Sequence, residues 1–311
     1  MISIIKKSIY AKIIVLLGVV FVIAMLIIFT GDDNSKVVQI DEEIYKYNYF
    51  EDISIEAQSA FVWDVNKQKV IFSINGDVQL PLASLTKLMT AIVADDILPE
   101  SSVVTIDNNS IISEGDSGLY ENEKWNFKEL MRFTLMVSSN DGANAVANVA
   151  GLFKNDFPSR KEDNKKSFVQ AMNEKAKEIG LSQTYFINPT GLDTNKIVSG
   201  GYGSAKDAAK LLEYAVINAP DIVELTRHTR INFESLSDIN HVATNTNSSI
   251  DRVPGLIASK TGFTDLAGGN LVVAYDAGIN HPIIIAVLGS SQSGRFEDVE
   301  KLVDASLKSL D

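Results

Sequence analysis

Leu80-Pro81-Leu82-Ala83-Ser84-Leu85-Thr86-Lys87-Leu88-Met89-Thr90-Ala91 is the stretch on which the reading of this chain turns. Pro81 leads into a helix, after which Leu85, Leu88, Met89, Ile92 and Val93 recur at helical spacing and form a wide apolar stripe. Ser84 and Lys87 lie three apart at its first turn, so their side chains emerge on one edge. A serine hydroxyl is a weak nucleophile until a base takes its proton, and a lysine serves as that base only when neutral. Burial and a second nearby cation both lower a lysine pKa, and a helix N-terminus stabilises a developing oxyanion. The same residues also fit a core helix whose lysine reaches out to solvent beside a helix-start serine. Ser3-Ile4-Ile5-Lys6 repeats the spacing elsewhere, so the motif needs further residues to carry meaning.

Upstream, Ile13 to Phe29 (IIVLLGVVFVIAMLIIF) carries no charge, and with Thr30 and Gly31 it is just long enough to cross a bilayer core. Lys6, Lys7 and Lys12 precede it, while Asp32 and Asp33 follow. The positive-inside rule then puts the N-terminus in the cytoplasm and the rest of the chain outside. A cleaved signal peptide is the rival, but its apolar core is usually shorter, and no small-x-small site ends this one. The expected organisation is a cytoplasmic stub and transmembrane anchor over 1–31, an acidic linker over 32–52 and one folded domain over 53–311.

Composition narrows the chemistry. The 311 residues are 45% hydrophobic and 22% charged, enough for a substantial folded core. There is no cysteine, which excludes disulfides and thiolate metal sites, and three scattered histidines do not favour a histidine-based triad. A net charge of −12 argues against nucleic acid as partner.

Downstream, Ala57 to Ile74 reads as a β-hairpin broken at Asp64-Val65-Asn66-Lys67, and the core helix runs from Ala83 to about Ile97. Val103 to Ile106 reads as a short strand. Helices are expected over Phe127–Val137, Ala143–Leu152, Phe168–Ile179 and Ser204–Asn218, the last capped by Ser204. From Val253 the pattern changes to strands at 256–261, 270–275 and 282–288, and an amphipathic helix from Phe296 to Leu310 closes the chain. The early and late strands combine into one antiparallel sheet beside a helical lobe, with a cleft between them as the natural site.

Two further motifs fall at element boundaries. Lys260-Thr261-Gly262 occurs once, in a strand-like run, and would set an ammonium and a hydroxyl on a sheet edge suited to a carboxylate. Its glycine would let a substrate backbone lie alongside. Ser138-x-Asn140 is weak alone, since Ser73-Ile74-Asn75 matches it too. The order S-x-x-K, S-x-N, K-T-G is the one shared by class A β-lactamases and penicillin-binding proteins.

From about residue 51 to 311 the chain resembles the serine D-alanyl-D-alanine carboxypeptidases, low-molecular-mass penicillin-binding proteins. Asn188-Pro189-Thr190-Gly191-Leu192, Asn245-Thr246-Asn247 and Lys260-Thr261-Gly262-Phe263-Thr264 add to the trio. The resemblance implies an α+β fold of the β-lactamase/transpeptidase type, a five-stranded antiparallel sheet flanked by helices plus a helical lobe. It implies Ser84 as nucleophile, Lys87 as general base, Ser138 as proton relay, Asn140 as a bond to the substrate amide and Lys260 as the source of positive potential. Thr261 would hold the terminal carboxylate, and the N–H groups of Ser84 and Phe263 beside Gly262 would form the oxyanion hole. Arg295 is offered as a second carboxylate anchor, or else as a surface arginine at a helix start. No metal or organic cofactor is required. The implied partners are peptidoglycan stem peptides ending in D-Ala-D-Ala, β-lactams as covalent inhibitors, and the membrane through the N-terminal helix.

Thr190 stands where some relatives have histidine, which leaves open any water-activating part for that loop. The nearest alternative is a D,D-endopeptidase of cross-links. A β-lactamase usually has a loop glutamate, in an E-x-x-x-N arrangement, which Asn188-Pro189-Thr190-Gly191-Leu192 does not supply. An inactive wall-binding scaffold would have no need of the complete nucleophilic set.

Overall fold

Strand β1 (Ser59–Asp64) buries nearly every side chain, and its residues divide between two cores by parity. Phe61 points to one core, while Ala60 and Val62 point to the other. The same alternation sorts Val272 and Ala274 from Leu271, Val273 and Tyr275, and Ile284, Ala286 and Leu288 from Ile283, Ile285 and Val287. A sheet covered on both faces needs apolar residues at both parities, which is why these strands read as unbroken hydrophobic runs.

The computed structural model describes residues 48–310 apart from 112–114, 116–117 and 155–160. The expected membrane span and most of the linker lie outside the described residues. Among those described, no helix is long and apolar enough to cross a membrane.

The elements that position the site follow in chain order. They are β1, β2 (Lys69–Ile74), α1 (Thr86–Ile97), α2 (Phe127–Val137), α3 (Asn140–Lys154), α4 (Lys161–Glu178) and α5 (Ala205–Asn218). A hairpin of β3 (Arg230–Glu234) and β4 (Asn240–Thr244) comes next, then β5 (Leu256–Thr264), β6 (Gly268–Asp276), β7 (Pro282–Ser290) and α6 (Gly294–Leu310). The main sheet has the order β5-β6-β7-β1-β2 with every neighbour antiparallel, so β5 is an edge strand. This is the expected five-stranded sheet flanked by helices.

One face is covered by α6, whose Val299, Leu302, Val303 and Ala305 pack on the odd-numbered strand residues of β6 and β7. The carboxylate of Asp298 in α6 accepts from the N–H groups of Glu56 and Ala57 and from Ser290 Oγ, which ties the entry of the domain to this helix. The opposite face carries α1, α2, α3, α4 and α5 in one large core. Capping sets where two of these start. The Asn126 side chain accepts from the N–H groups of Lys128 and Glu129 at α2, and Ser204 Oγ accepts from Asp207 N at α5, as its sequence position implied.

The structure departs from the sequence reading in three places. Helix α3 begins at Asn140 and not at Ala143, because only Ser138 and Ser139 break the chain and Ser139 Oγ caps the new helix by accepting from Gly142 N at 2.9 Å. Helix α4 begins at Lys161 and not at Phe168, because its first turns are charged and carry no apolar stripe. The β3–β4 hairpin and a small sheet of Leu80–Pro81, Gly201–Gly203 and Tyr185–Phe186 were not anticipated, since strands of two to five residues leave little periodicity.

Candidate active site

The turn that carries Ser84 is held from three sides. Leu80 and Pro81 pair with Gly203 and Tyr202, and Leu82 N donates to the Gly201 carbonyl at 2.9 Å. From the main sheet, Asn270 Nδ2 donates to the Pro81 carbonyl at 2.9 Å. Ala83 then adopts a left-handed backbone at φ 48°, and a one-turn 3-10 helix, Ala83–Leu85, runs into α1. A non-glycine residue in that region costs roughly 1 kcal/mol or more and persists only where its surroundings enforce it. Gly191 presses on this turn so closely that an added Cβ would lie 1.9 Å from the Ala83 carbonyl oxygen. The edge strand also approaches here, for a Cβ on Gly262 would lie 2.9 Å from the Leu82 oxygen and 3.1 Å from Ser84 N. Ser84 alone stays half-buried between fully buried Ala83 and Leu85.

Lys87 does not reach solvent. Its exposure is 0%, within an α1 segment buried from Thr86 to Ala94. Its Nζ lies 2.8 Å from Ser84 Oγ, 2.7 Å from Asn140 Oδ1 and 2.9 Å from the Thr190 carbonyl oxygen. The amide and the main-chain oxygen can only accept. A neutral amine has two hydrogens and one lone pair, so it satisfies both oxygens and turns its lone pair to the serine hydroxyl. Burial pushes the Lys87 amine down to about 7, against the opposing pull of the Asp141 carboxylate.

The second lysine enters from the opposite wall. Lys260, 1% exposed, is held on β5 on the same face as Ala258 and Val272. Its Nζ donates to Ser138 Oγ at 2.9 Å and to the Thr261 carbonyl at 2.8 Å. With its oxygen fixed in this way, Ser138 keeps its own proton for a third partner. Ser138 closes α2 in the left-handed conformation at φ 61°, and that reversal lets Ser138 and Asn140 reach the two different lysines. Burial lowers the Lys260 pKa most, with Lys87 and Arg295 adding to it. For Lys87 itself burial, one of the two causes the sequence reading names, is the main one. Mutual repulsion still disfavours both lysines being charged at once.

Thr261 Oγ1 meets Thr246 Oγ1 at 2.5 Å, and Thr246 N donates to the Met136 carbonyl near the end of α2. Arg295 is 7% exposed, which excludes the surface-arginine reading. Its Nη1 donates to the Gly262 carbonyl at 2.6 Å, while Nε is buried without a hydrogen-bond partner. Burial lowers the guanidinium to about 10. Thr246 and Arg295 line one cavity of about 470 Å³. Asn245 Nδ2 donates to the carbonyls of Thr226 and His228 and its Oδ1 accepts from Asn247 N, so it organises the loop.

Ser84, Lys87, Ser138, Asn140 and Lys260 are thus linked into two hydrogen-bonded groups beside the edge of β5, where Thr261, Gly262 and Phe263 follow. Sequence reasoning missed the Thr190 carbonyl, Thr246, Asn270 and the charge of Asp141. The Thr190 contact comes from the main chain, so its side-chain identity gives no signal. The signal lies in Asn188, whose Oδ1 accepts from Thr190 N, Thr190 Oγ1 and Gly191 N and fixes the loop that presents the carbonyl.

The sequence model of the D-alanyl-D-alanine carboxypeptidase family matches residues 46–292. The chain is 29% identical over 259 residues to the D-alanyl-D-alanine carboxypeptidase DacF of Bacillus subtilis (strain 168), covering 81% of this chain and 62% of that protein. It is 30% identical over 262 residues to a D-alanyl-D-alanine endopeptidase of Escherichia coli (strain K12), covering 80% of this chain and 76% of the relative. Among solved structures, the D-alanyl-D-alanine carboxypeptidase of Mycobacterium tuberculosis H37Rv superposes with a TM-score of 0.70 at 26% identity, over 82% of this chain and 93% of that one. The Streptomyces K15 DD-transpeptidase shares the fold at a TM-score of 0.72 and 22% identity, over 81% and 97% of the two chains.

Proposed function

The chain belongs to the D-alanyl-D-alanine carboxypeptidase family, and from that premise we propose that it removes the terminal D-alanine of peptidoglycan stem peptides through an acyl-enzyme on Ser84. The observation that carries the reading is the contact of Lys87 Nζ with Ser84 Oγ at 2.8 Å, with two acceptor-only oxygens taking the amine's hydrogens.

In this reading Lys87 takes the hydroxyl proton as Ser84 Oγ attacks the carbonyl carbon of the penultimate D-alanine. The carbonyl electrons move onto oxygen, which accepts from the N–H groups of Ser84 and Phe263. Collapse breaks the C–N bond as Ser138, positioned by Lys260, gives its proton to the leaving amine and takes in its place the proton that Lys87 removed from Ser84, which leaves Lys87 neutral again. Water then cleaves the ester, with the displaced proton again going to Lys87. Asn140 both accepts from Lys87 and orients the substrate amide, while Thr261 and Arg295 receive the terminal carboxylate. A β-lactam would acylate Ser84 by the same attack. Residues 1–31 would anchor the protein, with 32–52 as tether and 53–311 as an extracytoplasmic catalytic domain.

Cleavage of D,D cross-links is the second reading, favoured by the endopeptidase name of the Escherichia coli relative. Product analysis separates the two, because a stem pentapeptide should release free D-alanine whereas a cross-linked dimer should yield two monomers. Labelled penicillin should attach covalently and should not attach to Ser84→Ala. Labelling that survives this substitution would refute the nucleophile.

A further inference from the structure

The ladder between β6 and β7 is broken at Asn270. Gly269 pairs with Ser290 but Leu271 pairs with Val287, so Leu288 and Gly289 share the place opposite Asn270. Gly289 takes a left-handed backbone at φ 70°, the conformation in which a glycine opens such a bulge. Its N–H donates to Asn270 Oδ1 at 2.8 Å, and the other end of the same amide, Nδ2, donates to the Pro81 carbonyl at 2.9 Å. We propose that Asn270 is a positioning residue that sets the spacing of the oxyanion hole, by holding the Ser84 turn down on Gly262. The proposal rests on the acyl-enzyme reading of Ser84 and names what aligns the two N–H donors that reading requires.

Strand parity places the parts. Asn270 pairs with Gly262 across β6 and β5, and the even-numbered Ala258, Val272 and Ala274 of these strands face the lobe. On that side lies the Ser84 turn, so close that a Cβ on Gly262 would come within 3.1 Å of Ser84 N. The side chain missing at 262 lets the turn descend, and the one present at 270 holds it there. Ser259 N donates to Thr226 Oγ1 and not to β6, so its N–H faces the open edge of β5. Main-chain groups alternate along a strand, so Phe263 N–H faces that edge too, one residue beyond the contact with the turn.

Two donors of an oxyanion hole must converge on one oxygen. Here one belongs to the turn and the other to the edge strand, segments far apart in the chain. The pairing of Leu80–Pro81 with Tyr202 and Gly203 ties the turn to the small sheet, whereas Asn270 bonds it to the main sheet. The amide is 0% exposed, and with a main-chain group held at each end it has no freedom to turn away. The bulge thus re-aims a side chain of the sheet at the nucleophile turn.

Asn270→Ala removes this span. Asn270→Ser keeps a hydroxyl for Gly289 N on a side chain one bond shorter than the span requires. Both are measured in the full protein, with every rate expressed per site titrated at saturation by labelled benzylpenicillin. Peptide kcat/KM and the penicillin acylation rate should each fall by about 10- to 100-fold per site, the range of a misplacement near 1 Å. N-Acetyl-1-aminoethylboronic acid takes Ser84 Oγ onto boron as the hydroxyl proton passes to Lys87, and the tetrahedral adduct sets an oxygen in the hole. Its affinity should fall by a similar factor, while the acid limb of the pH–rate profile stays in place. An unchanged rate per site, with only fewer titratable sites, overturns the proposal and makes Asn270 a support of the bulge. A displaced acid limb overturns it as well, because the effect would then run through Lys87. Absence of labelling in the wild type, or labelling that survives Ser84→Ala, overturns the nucleophile reading and this proposal with it.

Discussion

The two faces of the central sheet are built from the same strands yet solve opposite problems. Toward α6, Leu271, Val273, Tyr275, Ile283, Ile285 and Val287 meet Val299, Leu302 and Val303 in a core whose one phenol is paired with Ser306 Oγ. Toward the helical lobe, the same kind of packing surrounds two lysines at 0% and 1% exposure and abuts two residues, Ala83 and Ser138, with positive φ. An apolar face gains stability from every side chain it buries. The lobe face gives some of that up to keep an amine dry enough to be neutral near pH 7. The far face supplies the stability against which this desolvation is held.

The largest expected effect comes from making the lobe face resemble the far one. Lys87→Met keeps the bulk and removes the amine, and in the proposed mechanism penicillin acylation should fall by about 10²- to 10⁴-fold, the usual contribution of a general base. Stability should change in its pH dependence. With the folded pKa lowered to about 7 from 10.5, the unfolded chain binds a proton in that window that the folded chain does not. Wild-type stability should therefore rise with pH between the two values, and Lys87→Met should lose about 1.4 kcal/mol per pH unit of that slope. Urea melts at pH 7.5 and 9.5 measure it. An unchanged slope would mean that Lys87 is charged in the folded state.

The converse substitution tests the far face. Leu302→Ala should cost about 2–5 kcal/mol through the cavity it leaves, while acylation of the folded fraction stays within about twofold. A comparable loss of acylation rate would mean that the two faces are mechanically coupled and that the division of labour is wrong.

How much of this contrast could be read from the sequence depends on what each part encodes. Unbroken apolar runs in β6 and β7 and the helical stripe of α6 announce the sheet and its cover, because one core position after another repeats the signal. The S-x-x-K and K-T-G motifs announced the two lysines by residue type. The depth of Lys87 was not legible, since an apolar stripe does not reveal that α1 is surrounded on all sides. Nor was the Thr190 carbonyl, which any residue could provide once Asn188 shapes the loop. The left-handed backbone at Ser138 opposes local preference, so the sequence alone places the start of α3 three residues late.

Arg295 is where the two faces meet, since it starts the helix of the far face and reaches round to Gly262 on the edge strand. Arg295→Gln keeps a donor and removes the charge. It should lower kcat/KM for a peptide with a free terminal carboxylate by about tenfold, in the range of a charged hydrogen bond. Turnover of the matching peptide with an amidated terminus should change little. Equal losses on both peptides would make Arg295 a support for the β5 strand and not a reader of the carboxylate.

The smallest expected effect is the most diagnostic of how the lobe face sets its base. Asp141 is the anion that opposes the lowering of Lys87, because a nearby negative charge favours the ammonium. Asp141→Asn removes that pull, so the Lys87 pKa should drop further below about 7. The proposed mechanism needs the neutral amine, and the acid limb of the pH–rate profile for penicillin acylation should therefore move to lower pH. The expected shift is about half a unit to one unit, with the plateau above pH 8 little changed. The effect is small because burial has already done most of the work, and a charge can only adjust what desolvation sets. A limb that moves to higher pH would assign it to a group whose protonated form Asp141 does not stabilise, and the desolvated amine would no longer account for the difference between the two faces.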